Sequence, residues 1–156
     1  YPCVWINSDI RRQVIRNQMT VISETDKKAI KSFVQGVLGC TCPNELFLNI
    51  KVEQNPPGFA DITQGDLIAI GGKLLVYLIN ANDEEILPSK LEQLFNLGRE
   101  TRDNGGFNRF RLVVSTSREQ PTRKSLARQF EILENLDERL HLHVIGNDQL
   151  PALIAQ

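Results

Sequence analysis

With 156 residues, 41% of them hydrophobic and 24% charged, the chain fits one domain large enough to bury a core without disulfide staples. A formal net charge of −1 argues against partners held by global electrostatics, such as duplex nucleic acid or an anionic membrane. Three cysteines, an odd number, do not make the framework of a small secreted protein, and no run reaches the roughly 18 apolar residues that span a bilayer, so the expected compartment is a reducing cytoplasm.

Residues 1–22 read as a peripheral N-terminal extension and residues 23–156 as a single α/β domain. Tyr1 to Ile6 is too short for a signal-peptide core and has no basic segment before it. Arg11, Arg12 and Arg16 form a basic cluster interleaved with Ile10, Val14 and Ile15. Met19 reads as a natural start, because Met-Thr-Val-Ile-Ser leads into a capped helix; the alternative is a short helix docking through Ile10, Val14 and Ile15.

Ser23-Glu24-Thr25-Asp26 is a helix start signal. Ile30, Phe33, Val34, Val37 and Leu38 follow at helical spacing, which predicts a core-facing helix with Lys27, Lys28 and Lys31 on its solvated side. Gly39 suits the left-handed conformation that closes a helix. Pro43 suits the first position of a second short helix, which puts Cys42 at its N-cap and Glu45 three residues on, at capping-box spacing. A thiol there would meet unpaired N–H groups and the positive end of the helix dipole, both favouring thiolate. Cys40 lies two residues earlier, with Cα atoms able to approach within roughly 5.5–7 Å. A bond closing so small a ring adds little stability and is easily reduced. The pair therefore reads as a redox or metal-binding dithiol, against the plainer reading of two half-buried small side chains in a helix junction.

Beyond the junction, a strand is expected from near Leu48 to Val52, and Asn55-Pro56-Pro57-Gly58 marks a turn. Asp66–Ile70 and Lys73–Ile79 flank Gly71-Gly72 as a β-hairpin with a two-residue turn. The second arm is apolar at nearly every position, as for a strand covered on both faces. Asn82-Asp83-Glu84-Glu85 reads as a solvated acidic loop before a helix that starts near Pro88, carries Leu91, Leu94 and Phe95, and ends at Asp103-Asn104-Gly105-Gly106. Phe110–Val114 is a strand. A helix with Leu126, Phe130, Leu133 and Leu136 follows, then a strand over Leu140–Ile145 and a last short helix over Asp148–Ile154. The alternation from residue 74 onward requires parallel strands joined by helices. The fold class is α/β: a layered mixed sheet with at least three parallel strands, a β-hairpin arm and helices on both faces.

Ligands of open α/β sheets collect beyond the carboxyl ends of the strands, which nominates the loop 115–124. Ser115, Thr116 and Ser117 offer hydroxyls and Arg118, Arg123 and Lys124 offer charge beside a helix N-terminus, an anion site unless the hydroxyls only cap and the cations only face water. On a strand, His141 and His143 share one face, and with Cys40 and Cys42 they make up a donor set that tetrahedral zinc accepts; two histidines on the wetter face of an edge strand would give the same sequence. No dinucleotide or Walker pattern is present, and no cofactor other than zinc is suggested. Two functions follow. One is a thiol-disulfide redox protein in which Cys42 attacks and Cys40 resolves; the other is a non-enzymatic binding or adaptor domain for a protein or small-molecule partner.

Overall fold

Among the described residues, six short segments of β-forming residues pair into one mixed sheet, and the described helices are laid on its two faces. The structure is a computed structural model that describes residues 19–81, 88–134 and 136–151. The strands are β1 (Met19–Val21), β2 (Ile50–Gln54), β3 (Gly65–Ile70), β4 (Leu74–Asn80), β5 (Arg109–Thr116) and β6 (Leu140–Gly146), side by side in chain order. The first four pair antiparallel, while β4, β5 and β6 run parallel. The helices are α1 (Glu24–Ser32), α2 (Phe59–Ile62), α3 (Pro88–Gly105) and α4 (Glu119–Glu131). No described helix is long and apolar enough to cross a membrane.

Strand alternation divides the core in two. On one face Phe59 of α2, Leu91, Leu94 and Phe95 of α3 and Leu126 of α4 pack on inward residues of β3 to β6. Two crossovers of the same hand, stepping in the same direction, deposit both long helices on one side. On the opposite face Ile30, Phe33, Val34, Leu38 and Phe47 cover Ile50, Ile68, Ile70, Leu74, Val76 and Leu78. The expected α/β architecture, with at least three parallel strands and helices on both faces, is what forms. Strand β4 feeds both layers: Leu75, Tyr77 and Ile79 enter the first, Leu74, Val76 and Leu78 the second. Its unbroken apolar run follows from that double coverage.

The buried cation Arg102, 2% exposed, donates from Nη1 and Nη2 to the Asp137 carboxylate at 2.8 and 2.7 Å and from Nε to Asp103 at 3.0 Å. This fork ties the end of α3 to the turn that enters β6. Hydrogen bonding from Arg102 holds the Asp137 carboxyl below the usual carboxylate range.

Some boundaries differ from the sequence reading. Met19–Val21 forms an edge strand inside the stretch expected to be peripheral; residues 1–18, with their basic cluster, lie outside the described residues, as do the acidic loop 82–87 and residues 152–156. The hairpin connection is three residues long, since Ile70 pairs with Leu74. Gly71 and Gly72 both hold positive φ (59° and 66°), and the Lys73 N–H returns to the Ile70 carbonyl at 3.0 Å. Helix α4 begins at Glu119, a turn earlier than its apolar positions suggest, because Pro121 sits in the first turn, where no N–H is needed. Of the expected last helix, Asp148–Ile154, the described residues show a 3-10 turn, Asn147–Gln149, with Leu150 extended after it, and residues 152–154 lie outside the described residues.

Candidate functional site: the Cys40–Cys42 cleft

The cysteine segment is placed by the way α1 ends. Ser23 caps its start, accepting from the Asp26 N–H at 3.2 Å. The helix then widens into a π-helical turn, Phe33–Val37. Gly39 takes φ +72°, which lets the Leu38 and Cys40 N–H groups reach back to the Phe33 and Val34 carbonyls, each at 3.1 Å. The carbonyls at the helix end are thereby satisfied and the chain reverses. Cys40 and Cys42 follow, half-buried against the second core layer.

The structure brings the two sulfurs into close contact, with Cα atoms 5.3 Å apart. It does not make Cys42 an N-cap. The following helix is a 3-10 segment, Asn44–Leu48, whose cap position is Pro43 without a side-chain hydrogen bond. Proline keeps an extended ψ of 145°, so the helix starts one residue later than the spacing suggested and the dipole argument for Cys42 loses its geometry. Gln35 instead fastens the segment, donating from Nε2 to the Cys42 carbonyl at 3.3 Å and to Asn44 Oδ1 at 3.1 Å.

The 3-10 segment is pressed onto the hairpin turn. The Gly71 N–H donates to Asn49 O at 2.7 Å, and a Cβ on Gly71 would collide with Leu46. The carbonyl of Lys73, in turn, accepts from Asn108 and Arg109 at 2.7 and 3.2 Å, joining the hairpin end to the start of β5. These contacts leave a cleft of about 590 Å³ at the amino ends of β4 and β5. Residues 39–43 and Leu46 form one wall; Lys73, Leu74, Asn108, Arg109 and Arg111 form the other. Three of its lining residues are cationic, and none of the described ones is acidic.

The arginines link this cleft to the histidines. Arg109 Nη1 lies 3.0 Å from His141 Nε2, and Arg111 Nη1 lies 2.8 Å from His143 Nε2. A guanidinium only donates, so each imidazole accepts through Nε2 and is neutral, with its proton on Nδ1. Burial, then Arg111 and the neighbouring His141, push His143 down to about 4. His141 is lowered by burial, Arg111 and Arg109 against the opposing pull of Asp137. The zinc set is therefore not assembled: the histidine nitrogens face arginines rather than thiols, and among the described residues no three His, Cys, Asp or Glu side chains converge to hold a metal.

The loop 115–124 is divided among different roles. Ser115 and Thr116 are buried at the end of β5, with Ser115 Oγ donating to Ile79 O at 3.3 Å. Thr116 Oγ1 accepts from the Arg118 N–H at 3.1 Å. Arg123 and Lys124 lie within α4, and Arg123 donates to Val144 O at 2.7 Å and pairs with Glu119 at 3.5 Å. The hollow beside them, lined by Thr116, Ser117, Gly146 and Gln149, also carries Glu119 and Asp148. Sequence reasoning missed Lys73, Arg109 and Arg111, although Arg109 and Arg111 alternate with Phe110 and Leu112 as a half-exposed strand would.

The fold and cleft together define an α/β protein with a vicinal cysteine pair set against a row of cations. No protein-family model matches the chain, and no curated protein or solved structure matches it significantly.

Proposed function

We propose that the chain is a thiol-disulfide redox protein acting through Cys40 and Cys42. The observation that supports this reading is that Cys40 and Cys42 line an open cleft lined also by Lys73, Arg109 and Arg111, since nearby cations favour the thiolate form. In the reduced protein, Cys42 attacks one sulfur of a partner disulfide. The partner's S–S bond breaks, its leaving thiolate takes a proton from solvent, and a mixed disulfide remains. Cys40, deprotonated, then attacks Cys42 Sγ and releases the second partner thiol. The protein dithiol is oxidised by two electrons and the partner disulfide reduced. A reducing cytoplasm is the compartment in which such a pair would cycle.

The test combines thiol titration with mass spectrometry after equilibration in defined ratios of reduced to oxidised dithiothreitol. The expected result is reversible loss of two hydrogens localised to residues 40–42, a Cys42 thiol titrating below the unperturbed value of about 8.5, and accumulation of a mixed disulfide on Cys42 in Cys40→Ser. Two thiols that stay reduced and unreactive under oxidising ratios overturn the reading.

A further inference from the structure

The charge on the cleft wall is in excess of what the fold uses. Arg109 and Arg111 stand on the same face of β5 and meet histidines there. Among the described residues their side-chain partners are His141, the Glu138 carbonyl and His143, none of them an anion. Arg111 Nε is buried with no hydrogen-bond partner among the described residues, and an orphaned guanidinium N–H costs free energy that a fold without use for it tends to eliminate. Burial and the neighbouring Arg109 both press the Arg111 guanidinium below its ordinary value, so the fold bears an unfavourable concentration of positive charge. The other lining residues are of a different kind: Pro43, Leu46 and Leu74 give the cleft an apolar side. Its volume of about 590 Å³ is ample for more than a lone ion and falls within the usual range of small-molecule sites, roughly 300–1,000 Å³.

We propose that this cleft is a binding site for a small organic anion, a carboxylate or phosphate on an apolar body, held by Arg111, Arg109 and Lys73 with its body against Pro43, Leu46 and Leu74. The guanidinium fork matches both head groups, and three cations on one wall supply the charge to hold them. The histidines complete the arrangement. Being neutral acceptors, they orient Arg109 and Arg111 without neutralising them, which a carboxylate at the same positions would do. The site does not depend on the thiol chemistry, because its charges and apolar wall are present whichever way the sulfurs behave.

The test follows the arginine Nε–Hε resonances of the full chain by NMR during separate titrations with phenyl phosphate, benzoate and inorganic phosphate, with calorimetry on Arg111→Gln, Arg109→Gln and Lys73→Gln. Saturable movement of the Arg111 and Arg109 signals with either organic anion is expected, at an affinity at least about tenfold above that for inorganic phosphate. Each variant that keeps the wild-type far-ultraviolet spectrum should lose at least about tenfold in affinity, roughly 1.4 kcal/mol. The tighter of the two organic probes identifies the head group. Absence of saturable movement with all three probes overturns the proposal, as does undiminished affinity in the folded variants. Inorganic phosphate binding as tightly as phenyl phosphate overturns the organic part of it.

Discussion

Phe110 and Arg111 are consecutive in the chain and belong to opposite sides of β5, and the two sides are built on different terms. On the first, Phe110 is fully buried between Phe59 and Phe95, with ring centroids 6.1 Å from each, and Gly98 of α3 comes so close that a Cβ there would collide with the Phe110 ring. On the second, the covering segment stops over β2 to β4, and the leading halves of β5 and β6 carry Arg109, Arg111, His141 and His143 in place of a core. The closed side gives its buried cation a carboxylate, although Gln129 Oε1 on α4 is buried there without a hydrogen-bond partner among the described residues. The other side retains a buried guanidinium N–H without an acceptor among the described residues. The contrast is between a cation paired with a carboxylate and two cations that meet histidines.

Four experiments sharpen or break it. Phe110→Ala should give the largest effect, a loss of about 3–5 kcal/mol by urea denaturation, since both aromatic neighbours lose their packing; a loss below about 1 kcal/mol would show that the closed side is not closed. Asp137→Ala should cost about 2–3 kcal/mol, less than a fully buried pair because this carboxylate is partly exposed. The Asp137 contribution should also fade only as the solution is acidified through the depressed carboxyl value, so wild type and Asp137→Ala converge at strongly acidic pH.

The third experiment concerns His143. Its folded value, about 4, lies below the ordinary 6.5, so the unfolded chain binds the extra proton first and stability falls as pH drops through the window between those values. Between pH 7 and pH 5 wild type should lose about 1–2 kcal/mol more than His143→Gln. His141, also lowered, acts in the same direction, whereas Glu53, raised by burial, acts in the opposite one. The difference between the two proteins cancels both, and parallel pH curves would remove His143 from the account. The smallest effect is expected for Arg111→Met, which deletes the unsatisfied N–H along with the His143 contact and should leave stability within about 1 kcal/mol of wild type. A loss comparable to that of Phe110→Ala would make Arg111 a structural residue and erase the comparison.

The two sides were not equally visible beforehand. The closed side was legible because Leu91, Leu94 and Phe95, the alternation of β5 and the apolar run of β4 each follow from a periodicity that burial imposes. The cysteine pair was legible as a pair, through Gly39 and Pro43, although the cap assignment failed by one residue because Pro43 took the extended cap position itself. The cationic wall was not. Lys73, Arg109 and Arg111 are far apart in sequence or look like ordinary solvated charges, and no local pattern says that a helix ends before covering them. For the same reason the loop 115–124, rich in hydroxyls and cations on paper, yields a hollow that also carries Glu119 and Asp148.

What the sequence alone determined is the layered α/β arrangement, the parallel half of the sheet and the proximity of Cys40 to Cys42, because these depend on spacing within one segment or between neighbours in the chain. What only the tertiary structure decided is which charges meet. Lys73 joins Arg109 through a backbone hydrogen bond, Nε2 of each histidine turns to an arginine, and the Gly71 turn seats the cysteine segment against them. Such meetings depend on how far each covering element extends across the sheet, and that is set by packing between parts of the chain that carry no record of one another.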